Sequence, residues 1–107
     1  GSMSLTSSKD IDINAQCTIF AESEVVSLIH AKTAKADIAR AVHEGIATRV
    51  VSMVRRAGVE DEVAIIGGVA NNPGLVARLK VHLAKAVLIP EDPQMVAAIG
   101  AALLVAA

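Results

Sequence analysis

Aromatic side chains are nearly missing. The 107 residues hold no tryptophan, no tyrosine and a single phenylalanine, Phe20. That removes the stacking platforms on which single-stranded nucleic acids are held. Charge of one sign is missing too: 10 basic residues face 11 acidic ones, the net charge is −1, and lysine and arginine do not cluster, so no nucleic-acid footprint is expected. A single cysteine, Cys17, excludes an intrachain disulfide framework and fits a reducing, cytoplasmic setting. No apolar run reaches the ~20 residues of a membrane span. The run over 95–107 is expected to be a buried helix instead. No secretory signal pattern is present.

Known chemical signatures are sparse as well. The glycines do not spell a P-loop or a dinucleotide fingerprint. His30, His43 and His82 lie far apart, with no metal-ligand pair at i and i+4, and are expected at helix surfaces or interfaces. Ser23 and Thr18 lack the setting of a nucleophile elbow. A lone cysteine in an apolar stretch is by composition a small buried hydrophobe, and one thiol cannot hold an iron–sulfur cluster, which takes four.

What is present is aliphatic: 53% of the chain is hydrophobic, carried by alanine, valine, isoleucine and leucine. Such a core suits helices packed on a buried sheet, in one domain at most. Gly1-Ser2-Met3 has the form of a cloning remnant, and residues 1–9 are expected to be loose, leaving 10–107 as the folded part. Asp10 to Asn14 alternates strictly and predicts a short half-buried strand. Its abrupt start suggests a piece of a larger protein. The apolar stretch 15–20 is expected to continue extended. A short helix should open at Glu22-Ser23-Glu24 and run to about His30, with both carboxylates in its first turn. A long helix is predicted over 35–57, with Ile38, Val42, Ile46, Val50 and Val54 as its buried stripe and Gly58 as its C-cap. Arg55 and Arg56 suit its last turn as solvated charge.

The second half reads strand, helix, strand, helix. Residues 63–66 are the first strand, closed by Gly67 and Gly68. Asn72 and Pro73 are a cap and a first position for a helix over 73–85, buried through Leu75, Val76, Leu79 and Leu83. Residues 86–89 form the second strand, and Asp92-Pro93 repeats the cap-plus-proline start ahead of the last helix, to about residue 106. A parallel pair with a right-handed crossover follows, and it brings the turns after both strands to the carboxyl edge where α/β proteins bind ligands. From spacing alone the glycine stretch is either a ligand-facing edge or a strand-to-helix turn with no ligand.

Three motifs carry a resemblance. Cys17-Thr18-Ile19-Phe20-Ala21-Glu22-Ser23-Glu24-Val25-Val26, Gly67-Gly68-Val69-Ala70-Asn71-Asn72-Pro73-Gly74, and Pro90-Glu91-Asp92-Pro93-Gln94 with Ala98-Ile99-Gly100-Ala101-Ala102 resemble, in order, the ATPases that activate 2-hydroxyacyl-CoA dehydratases and benzoyl-CoA reductase (the BadF/BadG/BcrA/BcrD type). Asn14-Ala15-Gln16-Cys17 and Ser52-Met53-Val54-Arg55-Arg56 are similar to the D or G type ATPase subunit of benzoyl-CoA reductase. The resemblance spans Cys17 to Ala102. It implies part of the C-terminal lobe of an actin/hexokinase/Hsp70-like (ribonuclease H-like) fold, whose two lobes close on ATP with Mg²⁺. It also implies an ATPase that feeds low-potential electrons to acyl-CoA-reducing subunits, with a [4Fe–4S] cluster shared across a dimer with a second ATPase subunit. Carried over by position, Cys17 is a cluster ligand, and Gly67, Gly68, Asn71 and Gln94 contact the adenosine of ATP. The phosphate-binding loops, the Mg²⁺-binding acid and a second cluster cysteine are not in this sequence, so the chain by itself is expected neither to hydrolyse ATP nor to hold iron. A lobe of a small-molecule kinase and a non-catalytic interaction module are the competing functions. Tolerance of Cys17→Ser would favour the first.

Overall fold

A computed structural model describes residues 1–14 and 18–107, with backbone alone for 18–20. Four helices follow in order: α1 (Thr18–His30), α2 (Lys35–Ala57), α3 (Pro73–Leu83) and α4 (Val96–Ala106). Two short strands, β1 (Glu62–Ala64) and β2 (Ala86–Leu88), pair in parallel with Val63 opposite Val87. Single 3-10 turns occupy Ser2–Thr6, Gly68–Asn71 and Pro93–Met95. The expected α/β order and the parallel pair across α3 are therefore present. The strands are shorter than predicted, although the Ile65 N–H extends the ladder by donating to the Leu88 carbonyl at 3.0 Å.

The core lies between α2 and α3. Ala47, Val51, Leu75 and Leu79 form one buried cluster, with Val50, Ile65 and Leu83 packed on its margin. Helix α2 has the predicted limits but buries a different face. Its buried positions are Asp37, Ala41, Ala47 and Val51. Ile46, at the middle of the predicted stripe, is 46% exposed. It sits two and a half turns, about 900°, beyond Asp37 and so faces the other way. Small residues won this face because alanines let α3 and the N-terminal turn approach closely; bulky side chains at those positions would hold them off.

The N-terminal residues are not loose. Ser2–Thr6 is a 3-10 turn seated against α2 and α3, with Ser4 buried and its hydroxyl donating to the Gly1 carbonyl at 2.6 Å. Gly74 makes room for it: a Cβ there would lie 2.2 Å from Ser4 Oγ and 2.7 Å from Gly1 O. The next stretch is held by Asp37. Its Oδ1 accepts from Ser7 Oγ (2.7 Å), Ser8 N–H (3.0 Å) and Lys9 N–H (3.2 Å). The Ser7 hydroxyl above all, with the two amides and the Lys9 charge, holds this carboxyl below the usual range, against the opposing effect of burial.

Three further expectations fail. Residues 10–14 form no strand, since no strand among the described residues offers them a ladder, yet their side chains keep the alternating exposure that suggested one. Helix α1 starts at Thr18, so Glu22 and Glu24 are not in its first turn, and residues 18–20 are helical rather than extended. Glu24 accepts the Asn14 N–H at 3.1 Å instead. The expected extended positions 15–17, with Cys17 among them, lie outside the described residues. Finally, none of α4 is buried: Leu104 is 81% and Val105 89% exposed. The radius of gyration, 16.2 Å, exceeds the ~13 Å of a compact chain of this length, and the α4 end has no packed layer against it among the described residues. No described helix is long and apolar enough to cross a membrane.

Candidate functional site

The site forms where the two strands run out at their carboxyl ends. After Ile65 and Ile66 the chain turns at Gly67, whose φ of 94° is costly for any residue with a Cβ. The Gly67 N–H then donates to the Pro93 carbonyl at 2.7 Å, joining the turn after β1 to the turn after β2. The Ala70 N–H closes back on Gly67 O at 3.0 Å, and the Asn72 N–H on Val69 O at 2.9 Å. Ala70 is buried beneath the turn, while Gly68, Val69 and Asn71 face outward. On the other side, the Met95 N–H donates to Asp92 O at 3.0 Å, and Pro93 is buried. Asp92 makes no side-chain cap, unlike its predicted counterpart Asn72.

Of the residues named from sequence, Gly67, Gly68 and Gln94 are brought together, with Asn71 closing the same turn. A Cβ built on Gly68 would find only Gln94 Oε1, at 3.8 Å. The space over Gly68 is therefore open, and the fold does not need it empty. Asn71 and Gln94 are exposed amides, each able to donate and accept. Cys17 lies outside the described residues and is not placed relative to this edge.

The arrangement suits an uncharged hydrogen-bonding surface rather than a phosphate. Helix α3 starts beside the turn, but its N-terminal donors are spent. Pro73 has none, and Asn72 Oδ1 accepts from Gly74 N–H at 3.0 Å and Leu75 N–H at 3.2 Å. Glu91 and Asp92, both exposed, add negative charge on the far side. An anion would meet no free amide on α3 and two carboxylates nearby. A flat, polar, neutral group can lie over Gly68 with the Asn71 and Gln94 amides at its edge.

Two histidine contacts escaped the sequence. His43 Nε2 lies 3.0 Å from Asn72 Nδ2, and His82 Nε2 bonds Glu44 Oε1, so each joins α2 to α3 or its cap. The partners are 29 and 38 residues apart, and no local pattern signals them. All three fit the expectation of helix surfaces or interfaces, His43 and His82 at the α2–α3 interface and His30 exposed at the end of α1. A cleft of about 560 Å³ lies elsewhere, between residues 12–14 and the α2 face from Glu44 to Arg56. Among the described residues, no three histidine, cysteine or acidic side chains are grouped to hold a metal.

A sequence model of the BadF/BadG/BcrA/BcrD ATPase family matches residues 1–105. The chain is 40% identical over 103 residues to a 2-hydroxyisocaproyl-CoA dehydratase activator of Clostridioides difficile, covering 96% of this chain and 39% of that protein. It is 38% identical over 97 residues to the (R)-2-hydroxyglutaryl-CoA dehydratase activating ATPase of Acidaminococcus fermentans, covering 91% and 37%. In three dimensions it resembles the activator of the 2-hydroxyisocaproyl-CoA dehydratase from Clostridium difficile with bound ADPNP. There the TM-score is 0.92 at 39% identity, over 97% of this chain and 39% of that one. For component A of the Acidaminococcus fermentans (R)-2-hydroxyglutaryl-CoA dehydratase the TM-score is 0.93 at 36% identity, over 96% and 40%. The chain thus spans about two fifths of the length of the relatives it matches.

Proposed function

The chain belongs to the BadF/BadG/BcrA/BcrD ATPase family, and on that premise we propose that it forms the adenosine-holding part of an ATP-hydrolysing electron-transfer subunit. The supporting observation is the seat itself. The turns after β1 and β2 are stitched together by the Gly67 N–H to Pro93 O bond, with open space above Gly68, the Gln94 amide beside it and Asn71 exposed at the end of the same 3-10 turn. The fold neighbour with bound ADPNP supports a nucleotide as the ligand. This part of the site binds and orients the adenosine. The phosphates and Mg²⁺ are left to residues elsewhere in the full-length subunit, in keeping with the spent donors of α3.

The electron acceptor in this proposal is an enzyme acting on a CoA thioester. The names of the relatives support a 2-hydroxyacyl-CoA dehydratase. The likeness around Asn14 to Cys17 and Ser52 to Arg56 supports benzoyl-CoA reductase. Cys17 is proposed as one ligand of a [4Fe–4S] cluster shared with a second ATPase subunit. The chain alone does not fit such a cluster: it has one thiol where four are normally needed, and two copies bring two.

Nucleotide titration of the full-length subunit tests the seat. Gly68→Val keeps the backbone conformation, because Gly68 lies outside the positive-φ region and its Cβ has room. It is expected to weaken ADP binding by about tenfold or more, the loss of roughly one good contact's free energy. Unchanged affinity would remove the adenosine assignment. Cys17→Ser is expected to spare ADP binding and abolish electron delivery; a full-length subunit whose ATP-dependent activity is phosphoryl transfer and tolerates Cys17→Ser would instead favour the kinase-like alternative.

A further inference from the structure

Asn72 is the junction between the nucleotide-facing turn and the body of the molecule. Its N–H closes the turn on Val69 O, its carbonyl accepts the Val76 N–H at 3.1 Å, and its Oδ1 takes the Gly74 and Leu75 amides. His43 Nε2 lies 3.0 Å from Asn72 Nδ2 and 3.2 Å from Oδ1; because Oδ1 already takes two amides, Nδ2 is the atom left to donate to the ring. The other ring nitrogen of His43 lies 2.7 Å from the Ala39 carbonyl. One placement of the ring proton satisfies both contacts: Nδ1–H donates to Ala39 O, and Nε2 accepts from Asn72. His43 is thus oriented by its own helix, and α2 is fixed in turn by the buried Ala41, Ala47 and Val51.

We propose that His43 is a positioning residue for the nucleotide seat. By holding the Asn72 amide it fixes the junction that sets the shape of Gly68–Asn71, and so the direction in which Asn71 and the open face of Gly68 meet the ligand. The N-cap bonds of Asn72 satisfy α3 without any help from His43. The histidine contact is therefore additional to helix stability, and it is aimed at the one residue shared by helix and turn. This inference rests on the adenosine seat proposed above.

The experiment is ATP-dependent turnover and ADP titration of the full-length subunit carrying His43→Leu, His43→Gln or Asn72→Ser, with Asp37→Asn as a control for general destabilisation. Leucine removes the acceptor. Glutamine restores an acceptor near the Nε2 position. Serine keeps an N-cap oxygen but loses the amide that reaches His43. The expected result is a rise in KM for ATP and in Kd for ADP of about three- to tenfold for His43→Leu, the value of one neutral hydrogen bond. kcat is expected to be unchanged, with recovery in His43→Gln. Asn72→Ser should match His43→Leu, and the double variant should be no worse than either alone. The control should lower Tm without moving KM. Unaltered KM in His43→Leu, an equal rise in the control, or additive losses in the double variant would overturn the proposal. Should His43→Leu not fold, Asn72→Ser carries the same test. If Gly68→Val weakens ADP binding and the His43 variants do not, His43 alone fails; if Gly68→Val is also silent, the seat fails first.

Discussion

The α2–α3 half and α4 are both rich in aliphatic residues and lie in opposite environments. In the α2–α3 half, Ala47, Val51, Leu75 and Leu79 are each at most 6% exposed. In α4, Ile99, Leu103, Leu104 and Val105 are at least half exposed. Composition taken alone would order them the other way, since α4 has no charged side chain while α2 and α3 carry many. Helix α3 has one apolar side, and the N-terminal turn and α2 lie against it. Helix α4 is apolar all round, as a helix is when neighbours surround it, and no described residue covers it. Apolar pattern therefore states a demand for burial, and only a facing element meets it.

The largest effect that could break this contrast is Leu79→Ala. It empties a site in the packed half and should cost ~2–5 kcal/mol in denaturant unfolding, whereas Leu104→Ala should change stability by less than ~0.5 kcal/mol in the same chain. Equal costs would mean that α4 is covered. Next comes Gly74→Ala, which drives a methyl into Ser4 and the Gly1 carbonyl. It is expected to cost ~1–3 kcal/mol, as overpacking does, and to release Ser2–Thr6 as fast-exchanging amides. The smallest effect concerns pH. The Asp37 carboxyl sits below its usual range in the folded state, so its contribution is present above the unfolded pKa of 3.8 and is lost as pH falls through the lower folded value. Asp37→Asn should therefore flatten the acid side of the stability profile, measured by Tm against pH, and leave neutral-pH cooperativity intact.

Much of the candidate site was legible before any coordinates. Asn72 as a cap, Pro73 as a first helical position and Gly67 as a sharp turn each depend on residues a few places apart. Those local rules also gave both limits of α2. The strand pair followed from the order strand, helix, strand. The errors share a cause. The stripe Ile38 to Val54 has helical period, yet α3 and the N-terminal turn centre on the face of Ala41, Ala47 and Val51, which leaves Val50 at the core margin and Ile46 exposed. Residues 10–14 have strand period and no neighbouring strand among the described residues. Helix α1 begins at Thr18, four residues before the start that the carboxylates of Glu22 and Glu24 suggest. The link from His43 to Asn72 crosses 29 residues, with no spacing rule to announce it.

The amino-acid sequence by itself determined the helix caps, the glycine turn, the α/β order and, through three short motifs, the family. Those features are fixed by backbone sterics and hydrogen bonds reaching no further than a turn. Tertiary structure alone decided which face of α2 is buried, that residues 1–9 are pinned by Asp37 and Gly74, that no described residue covers α4, and that His43 on α2 meets Asn72 at the cap of α3. Burial and long-range hydrogen bonds belong to pairs of surfaces, and one surface does not specify its partner.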